Sequence, residues 1–160
     1  MIKTSDIEYF RFEEDFMEAN MRCIPMIVRL RLDTVGIKLP LRLWSRLNMA
    51  ERTLLAVLSC NSAREETEYK NILLTFGRKY SNEPLSILPV AANADWNRAD
   101  CIPGIVREKF IQCGQEINPG QWKRLSVLQR FALVKLSRPG HESKNFGKAI
   151  AEFGLSDKKP

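Results

Sequence analysis

Four arginines, Arg29, Arg52, Arg107 and Arg130, are the side chains whose type and spacing most invite a chemical role in this chain. They form two pairs with one separation, Arg29 with Arg107 and Arg52 with Arg130, each 78 positions apart. A guanidinium presents five donors in a planar fork, so a convergent set could grip a carboxylate-rich partner or another anion. The same group can lay its stem along a helix and bond helix ends or acids. Because each arginine recurs together with its apolar neighbours, that structural use is the favoured one.

Trp44 and Trp122 repeat at the same separation. Each is large enough to anchor a short helix with little stability of its own, and an exposed aromatic binding patch is the minority reading. His141 is the single histidine, and Glu142 beside it invites an acid–base role. Adjacency does not set hydrogen-bond geometry, however, and a place at the start of the terminal helix is the plainer expectation. Cys23 and Cys101 also match, which raises redox pairing or metal binding. Without a CxxC unit or a histidine at ligand spacing, small buried apolar residues are the better description. No Gly-rich nucleotide loop, HExxH motif or GxSxG elbow occurs. No catalytic residue, cofactor site or metal site is therefore assigned, and the chain reads as a non-enzyme.

The elements that must position these residues come in two sets. Cys23–Ser59 laid over Cys101–Ser137 without a gap gives 14 identities in 37 positions. Cys23-Ile24-Pro25 falls on Cys101-Ile102-Pro103, Gly36 on Gly114, and Arg46-Leu47 on Arg124-Leu125. In each copy the proline suits the first turn of a helix. Ile24, Ile27, Val28 and Leu32, and likewise Ile102, Ile105, Val106 and Phe110, then recur at helical spacing. The glycine stands where a helix can end in a left-handed residue.

A short second helix carries each tryptophan. Asn118-Pro119 provides a cap and an N-terminal proline, whereas Leu39-Pro40 has the proline without a good cap. The third helices open with Asn48 and Glu51, and with Ser126 and Gln129, both at capping-box spacing. A fourth helix follows if the separation becomes 77. Ser62 and Glu65 resemble a capping box, and Tyr69, Leu73, Phe76 and Gly77 align with Phe146, Ile150, Phe153 and Gly154. Between the halves, proline and short polar residues mark a connector over about 81–100, in which Leu85, Ile87, Leu88 and Val90 suit an extended segment and Trp96 an anchor. Ile7, Tyr9, Phe10, Phe12 and Phe16 suit a packed arm or preliminary helix.

The expected fold is all-α: one helical domain over residues 1–160, built from two tandem pseudo-symmetric multi-helix repeats at about 23–80 and 101–155. A unit of about 55 residues has a small core, so two copies gain by fusing. Disorder is expected only at Met1–Asp6 and Ser156–Pro160.

Composition sets the remaining bounds. An apolar fraction of 44% and a charged fraction of 28% belong to a globular chain. The start lacks the pattern of a secretory signal, and the longest apolar runs fall far short of the roughly 20 residues of a membrane span. Cys23, Cys60, Cys101 and Cys113 form no local pair, which fits a reduced cytoplasmic compartment. The net charge of +6 is dispersed, so a solvated charged surface is expected before a nucleic-acid face.

Cys23-Ile24-Pro25-Met26-Ile27-Val28-Arg29, the stretch Trp44 to Leu58, and Leu128-Gln129-Arg130-Phe131-Ala132-Leu133-Val134-Lys135-Leu136-Ser137 together resemble the nitrate reductase-associated protein family, found mainly in cyanobacteria. The continuation Arg138-Pro139-Gly140-His141-Glu142-Ser143-Lys144-Asn145-Phe146 and the ending Glu152-Phe153-Gly154-Leu155 strengthen the likeness, which runs from about Phe10 to Leu155. The resemblance implies an accessory protein of nitrate assimilation that acts by protein binding on nitrate reductase or a maturation factor, without holding a cofactor itself. It brings no catalytic residues. A homo-oligomer is compatible with it. The alternative is a basic helical nucleic-acid-binding regulator, which requires a continuous face drawn from Arg29, Arg31, Lys38, Arg42, Lys123 and Arg124.

Overall fold

The protein's structure, a computed structural model, describes residues 4–156, the side chains of Thr4, His141 and Glu142 excepted. Of the ends expected to be irregular, Met1–Lys3 and Asp157–Pro160 lie outside the described residues, while Thr4–Asp6 form a 3-10 turn. The described residues are predominantly helical, with nine α-helices and one two-stranded ribbon. The chain divides into two compact units, Met1–Val90 and Ala91–Pro160, with the boundary inside the expected connector.

The first unit contains α1 (Glu14–Glu18), α2 (Met26–Val35), α3 (Leu41–Trp44), α4 (Met49–Val57) and α5 (Ala63–Tyr80). Pro25 caps α2 from an extended backbone (ψ 154°), one position ahead of the first helical turn expected for it. Ile27, Val28 and Leu32 are buried along one face of that helix, and Gly36 closes it at φ +70° with its N–H on the Leu32 carbonyl. Asn48 and Glu51 make the expected reciprocal cap on α4. On α5 only half of that box forms. Ser62 accepts the Glu65 N–H, but the Glu65 carboxylate turns to the Asn61 N–H (2.7 Å) and the Ser59 hydroxyl (2.9 Å).

The extended part of the connector adds a strand. β1 (Ile37–Lys38) pairs antiparallel with β2 (Ser86–Ile87), Ile37 opposite Ile87, and the Leu88 N–H donates to the Gly36 carbonyl at 2.7 Å. A Cβ at Gly36 would lie 2.5 Å from the Leu88 carbonyl oxygen, so this glycine serves both the left-handed turn and the close approach of the strand.

The second unit contains α6 (Gly104–Gln112), α7 (Pro119–Arg124), α8 (Val127–Ser137) and α9 (Phe146–Glu152). Phe131, Ala132, Leu133, Val134 and Leu136 of α8 are buried, because other elements cover more than one side of this helix. Phe110 meets Phe146 edge-on at 5.2 Å, and Trp96 meets Phe131 at 4.9 Å, which realises the expected anchor. Asn118 and Ser126 form full capping boxes with Gln121 and Gln129.

Two expectations for this unit change. Ile105 stands 38% exposed, about 100° round α6 from the buried Val106. The terminal helix begins only at Phe146, behind a 3-10 turn over His141–Asn145 in which the Ser143 hydroxyl bonds back to the Gly140 carbonyl at 2.8 Å. Such local bonding competes with helix propagation, leaving 7 residues in α9 against 18 in α5.

Candidate functional site

Trp44 and Arg52 act together in the first unit. The fully buried Trp44 indole donates from Nε1 to the Met21 carbonyl at 2.7 Å. The Arg52 guanidinium lies 5.8 Å from the indole centroid and donates to three carbonyls, those of Trp44 (3.2 Å), Asn20 (2.7 Å) and Ser45 (2.9 Å). Asn20 and Met21 have φ of +60° and +49°, a left-handed bend that costs non-glycine residues energy. Indole and guanidinium therefore fasten this bend to the corner between α3 and α4.

Trp122 and Arg130 do comparable work in the second unit. Trp122 Nε1 donates to the Arg98 carbonyl at 2.8 Å. Arg130, only 6% exposed, donates from Nε to the Trp96 carbonyl and from Nη1 to the Leu125 carbonyl, both at 2.8 Å. Burial holds its pKa below the ordinary arginine value.

Arg29 donates from Nε to the Ile24 carbonyl at 3.0 Å, so three of the four repeated arginines bind backbone of their own unit. Arg107 differs: it is exposed, and its guanidinium has no hydrogen-bond partner among the described residues. The His141 side chain lies outside the described residues.

The bases expected to form a nucleic-acid face are not equivalent. Arg31 turns inward and donates to the Leu55 (3.0 Å) and Ala56 (2.7 Å) carbonyls at the end of α4. Burial depresses its pKa, opposed by Tyr69, Cys60 and Glu8. Arg42 pairs with Glu83 at 3.4 Å. Lys38, Lys123 and Arg124 remain exposed.

Sequence reasoning missed two carboxylates. Glu13, 2% exposed, accepts the Met26 N–H at 2.7 Å and the Phe10 N–H at 3.0 Å, so it supplies an acid to the first turn of α2 from 13 residues away. Glu51, whose spacing predicts only the cap, also accepts from Lys79 Nζ and the Tyr80 hydroxyl, both at 2.7 Å. Burial pushes its pKa up, but the bonds from Lys79, Asn48 and Tyr80 outweigh that and hold it below the ordinary value.

The four cysteines are free thiols. Cys101 and Cys113 are exposed, which corrects the buried apolar role expected of Cys101. Cys60, half-buried, has its pKa pushed up to about 11 by burial and Glu66, against a lowering influence from Arg31. Among the described residues, no three His, Cys, Asp or Glu side chains are grouped so as to hold a metal ion, and no helix is long and apolar enough to cross a membrane.

Surface hollows occur among the described residues of both units. In the first unit a cleft of about 270 Å³ is lined by Arg42, Arg46, Tyr80 and Glu83, with Arg46 donating to the Tyr80 carbonyl at 2.6 Å. In the second, a hollow of about 190 Å³ is lined by Arg107, Ile111, Glu116 and Ile117. Both are open recesses of mixed polarity, suited to contact with another molecule's surface.

The family profile described as conserved nitrate reductase-associated protein matches residues 9–153, leaving out only the first 8 and last 7 residues. The chain belongs to this family. The nitrate reductase-associated match takes in all nine α-helices of the described residues, so both compact units are part of what defines the family. No curated protein and no solved structure matches the chain.

Proposed function

We propose that this chain is a non-enzymatic accessory protein of nitrate assimilation that binds nitrate reductase, or a factor that matures it, and assists its assembly, stability or regulation. The observation that carries this reading is the family match over residues 9–153. The site geometry supports it, since the repeated Trp44, Arg52, Trp122 and Arg130 bond the protein's own backbone and leave the exposed hollows for contact with a partner. In this reading the two halves are diverged copies of one helical unit working as a single cytoplasmic domain, as the 14 identities in 37 positions suggest.

Deletion of the gene tests the proposal. Nitrate reductase should accumulate in lower amount or with incomplete cofactor loading, and purified chain should restore activity in extract without reducing nitrate itself. Unchanged reductase abundance, loading and activity in the deletion strain would sink it.

A further inference from the structure

The two halves differ in what covers the turn after their first repeated helix. In the first unit, Gly36 and Ile37–Lys38 are overlaid by the segment Ser86–Val90: Ile37 pairs with Ile87, the Leu88 N–H bonds the Gly36 carbonyl, and Val90 approaches the Gly36 α-carbon. In the second unit the matching positions are Gly114, Gln115 and Glu116, followed by Ile117 in the place of Leu39. Gly114 has the same left-handed turn (φ +69° against +70°), yet an added Cβ there would meet nothing within 4 Å. Among the described residues, no backbone group bonds the Gly114 carbonyl or the N–H and carbonyl of Glu116.

Three further observations fall at this edge. Ile111, one helical turn before Gly114 on the same unit, is 66% exposed. Ile111, Ile117, Arg107 and Glu116 line the hollow described above. The Gln115 side-chain oxygen is buried without a hydrogen-bond partner, an unspent acceptor beside the unpaired backbone.

We infer that the Gly114–Ile117 edge is a strand-docking slot, which takes an extended apolar segment of a partner protein as the first unit takes its own Ser86–Val90. The occupant's chemistry follows from that internal example: an extended backbone that donates an N–H to the Gly114 carbonyl, carrying an apolar side chain for the hollow between Ile111 and Ile117. The Arg107 guanidinium, exposed and without a hydrogen-bond partner among the described residues, favours an acidic residue beside it. Backbone pairing supplies the contact and the hollow supplies the selectivity. The inference rests on reading the halves as copies, and it holds whichever protein supplies the segment.

The test uses the full chain, isotope-labelled, titrated with a capped synthetic peptide having the sequence of residues 85–90. Saturable amide shifts are expected at Gly114–Ile117 with Gly36–Lys38 unmoved. Ile111→Glu, an exposed change, should weaken binding at least about tenfold, as should N-methylation of the peptide at the residue corresponding to Leu88. A second form of the chain, with the same peptide fused through a flexible Gly/Ser linker to its C-terminus, removes any dependence on intermolecular affinity. There, hydrogen exchange of the Glu116 amide should slow at least about tenfold, and Ile111→Glu should reverse the slowing. Shifts confined to Gly36–Lys38, strand exchange between two chains that leaves Gly114–Ile117 unmoved, or unchanged exchange at Glu116 in the fused chain would each overturn the inference.

Discussion

Arg52 donates to the carbonyl of Trp44 while its guanidinium lies 5.8 Å from the indole of the same residue. One side chain thus satisfies the end of a short helix and covers the ring that anchors it. With the Trp44 bond to Met21, this makes the corner between α3 and α4 the fixed point for the left-handed bend at Asn20–Met21.

The arginines should therefore separate by partner rather than by repeat position. Arg130→Met strips the buried Leu125 carbonyl and the part-buried Trp96 carbonyl of a charged donor and should cost about 2–4 kcal/mol. Arg130→Lys should not restore it, because a point ammonium cannot replace two directed bonds. Arg107→Ala should stay within about 0.5 kcal/mol of the parent. Urea unfolding midpoints of the three variants check this, and equal losses at Arg107 and Arg130 would contradict it.

Much of this framework was legible from residue type. Asn48, Asn118 and Ser126 cap the helices their spacing indicated, and Gly36 and Gly114 both close helices at positive φ. Local signals suffice where both partners lie within one turn. The inward turn of Arg31, the reach of Glu13 to Met26 and the pairing of Ser86–Ile87 with Ile37–Lys38 were not legible, since each depends on residues 13 or more positions apart. Repetition favours a structural use for Arg52 and Arg130, but their carbonyl partners are set by tertiary geometry.

Gly36 and Gly114, both left-handed, should respond differently to one substitution. Gly114→Ala carries only the left-handed penalty, about 1–2 kcal/mol. Gly36→Ala carries that penalty and drives a Cβ to within 2.5 Å of the Leu88 carbonyl, so it should cost more and speed hydrogen exchange at the Leu88 amide. Similar losses, with the Leu88 amide still protected, would mean that β2 is not seated on Gly36.

Glu51 sets an acid limb on stability. Its pKa is depressed in the folded chain, so its contribution is fully present above the unfolded glutamate value of about 4.3 and disappears as pH falls through the lower folded value. Glu51→Gln keeps an acceptor for the Asn48 N–H but loses the charge facing Lys79. The variant should be less stable than the parent at pH 7, with the difference closing as pH falls below about 4. Thermal unfolding of both across that range reads the effect, and a gap that widens toward acid would refute it.

The thiols should react in order of exposure and acidity. Cys60, with its pKa near 11, holds little thiolate at pH 8, whereas Cys101 and Cys113 are exposed. Peptide mapping after brief alkylation should find Cys101 and Cys113 labelled well before Cys60, and Cys60 labelled first would show its environment to be misassigned.

Association with the nitrate-assimilation machinery is the claim on which the functional account stands, and recovery of the native complex tests it most directly. Affinity-tagged chain expressed at its natural level should retain nitrate reductase or one of its maturation factors from cells grown on nitrate, in clear excess over cells grown on ammonium, and nuclease treatment should leave the yield unchanged. Recovery of neither protein under either nitrogen source, or retention that disappears with nuclease, would contradict the account.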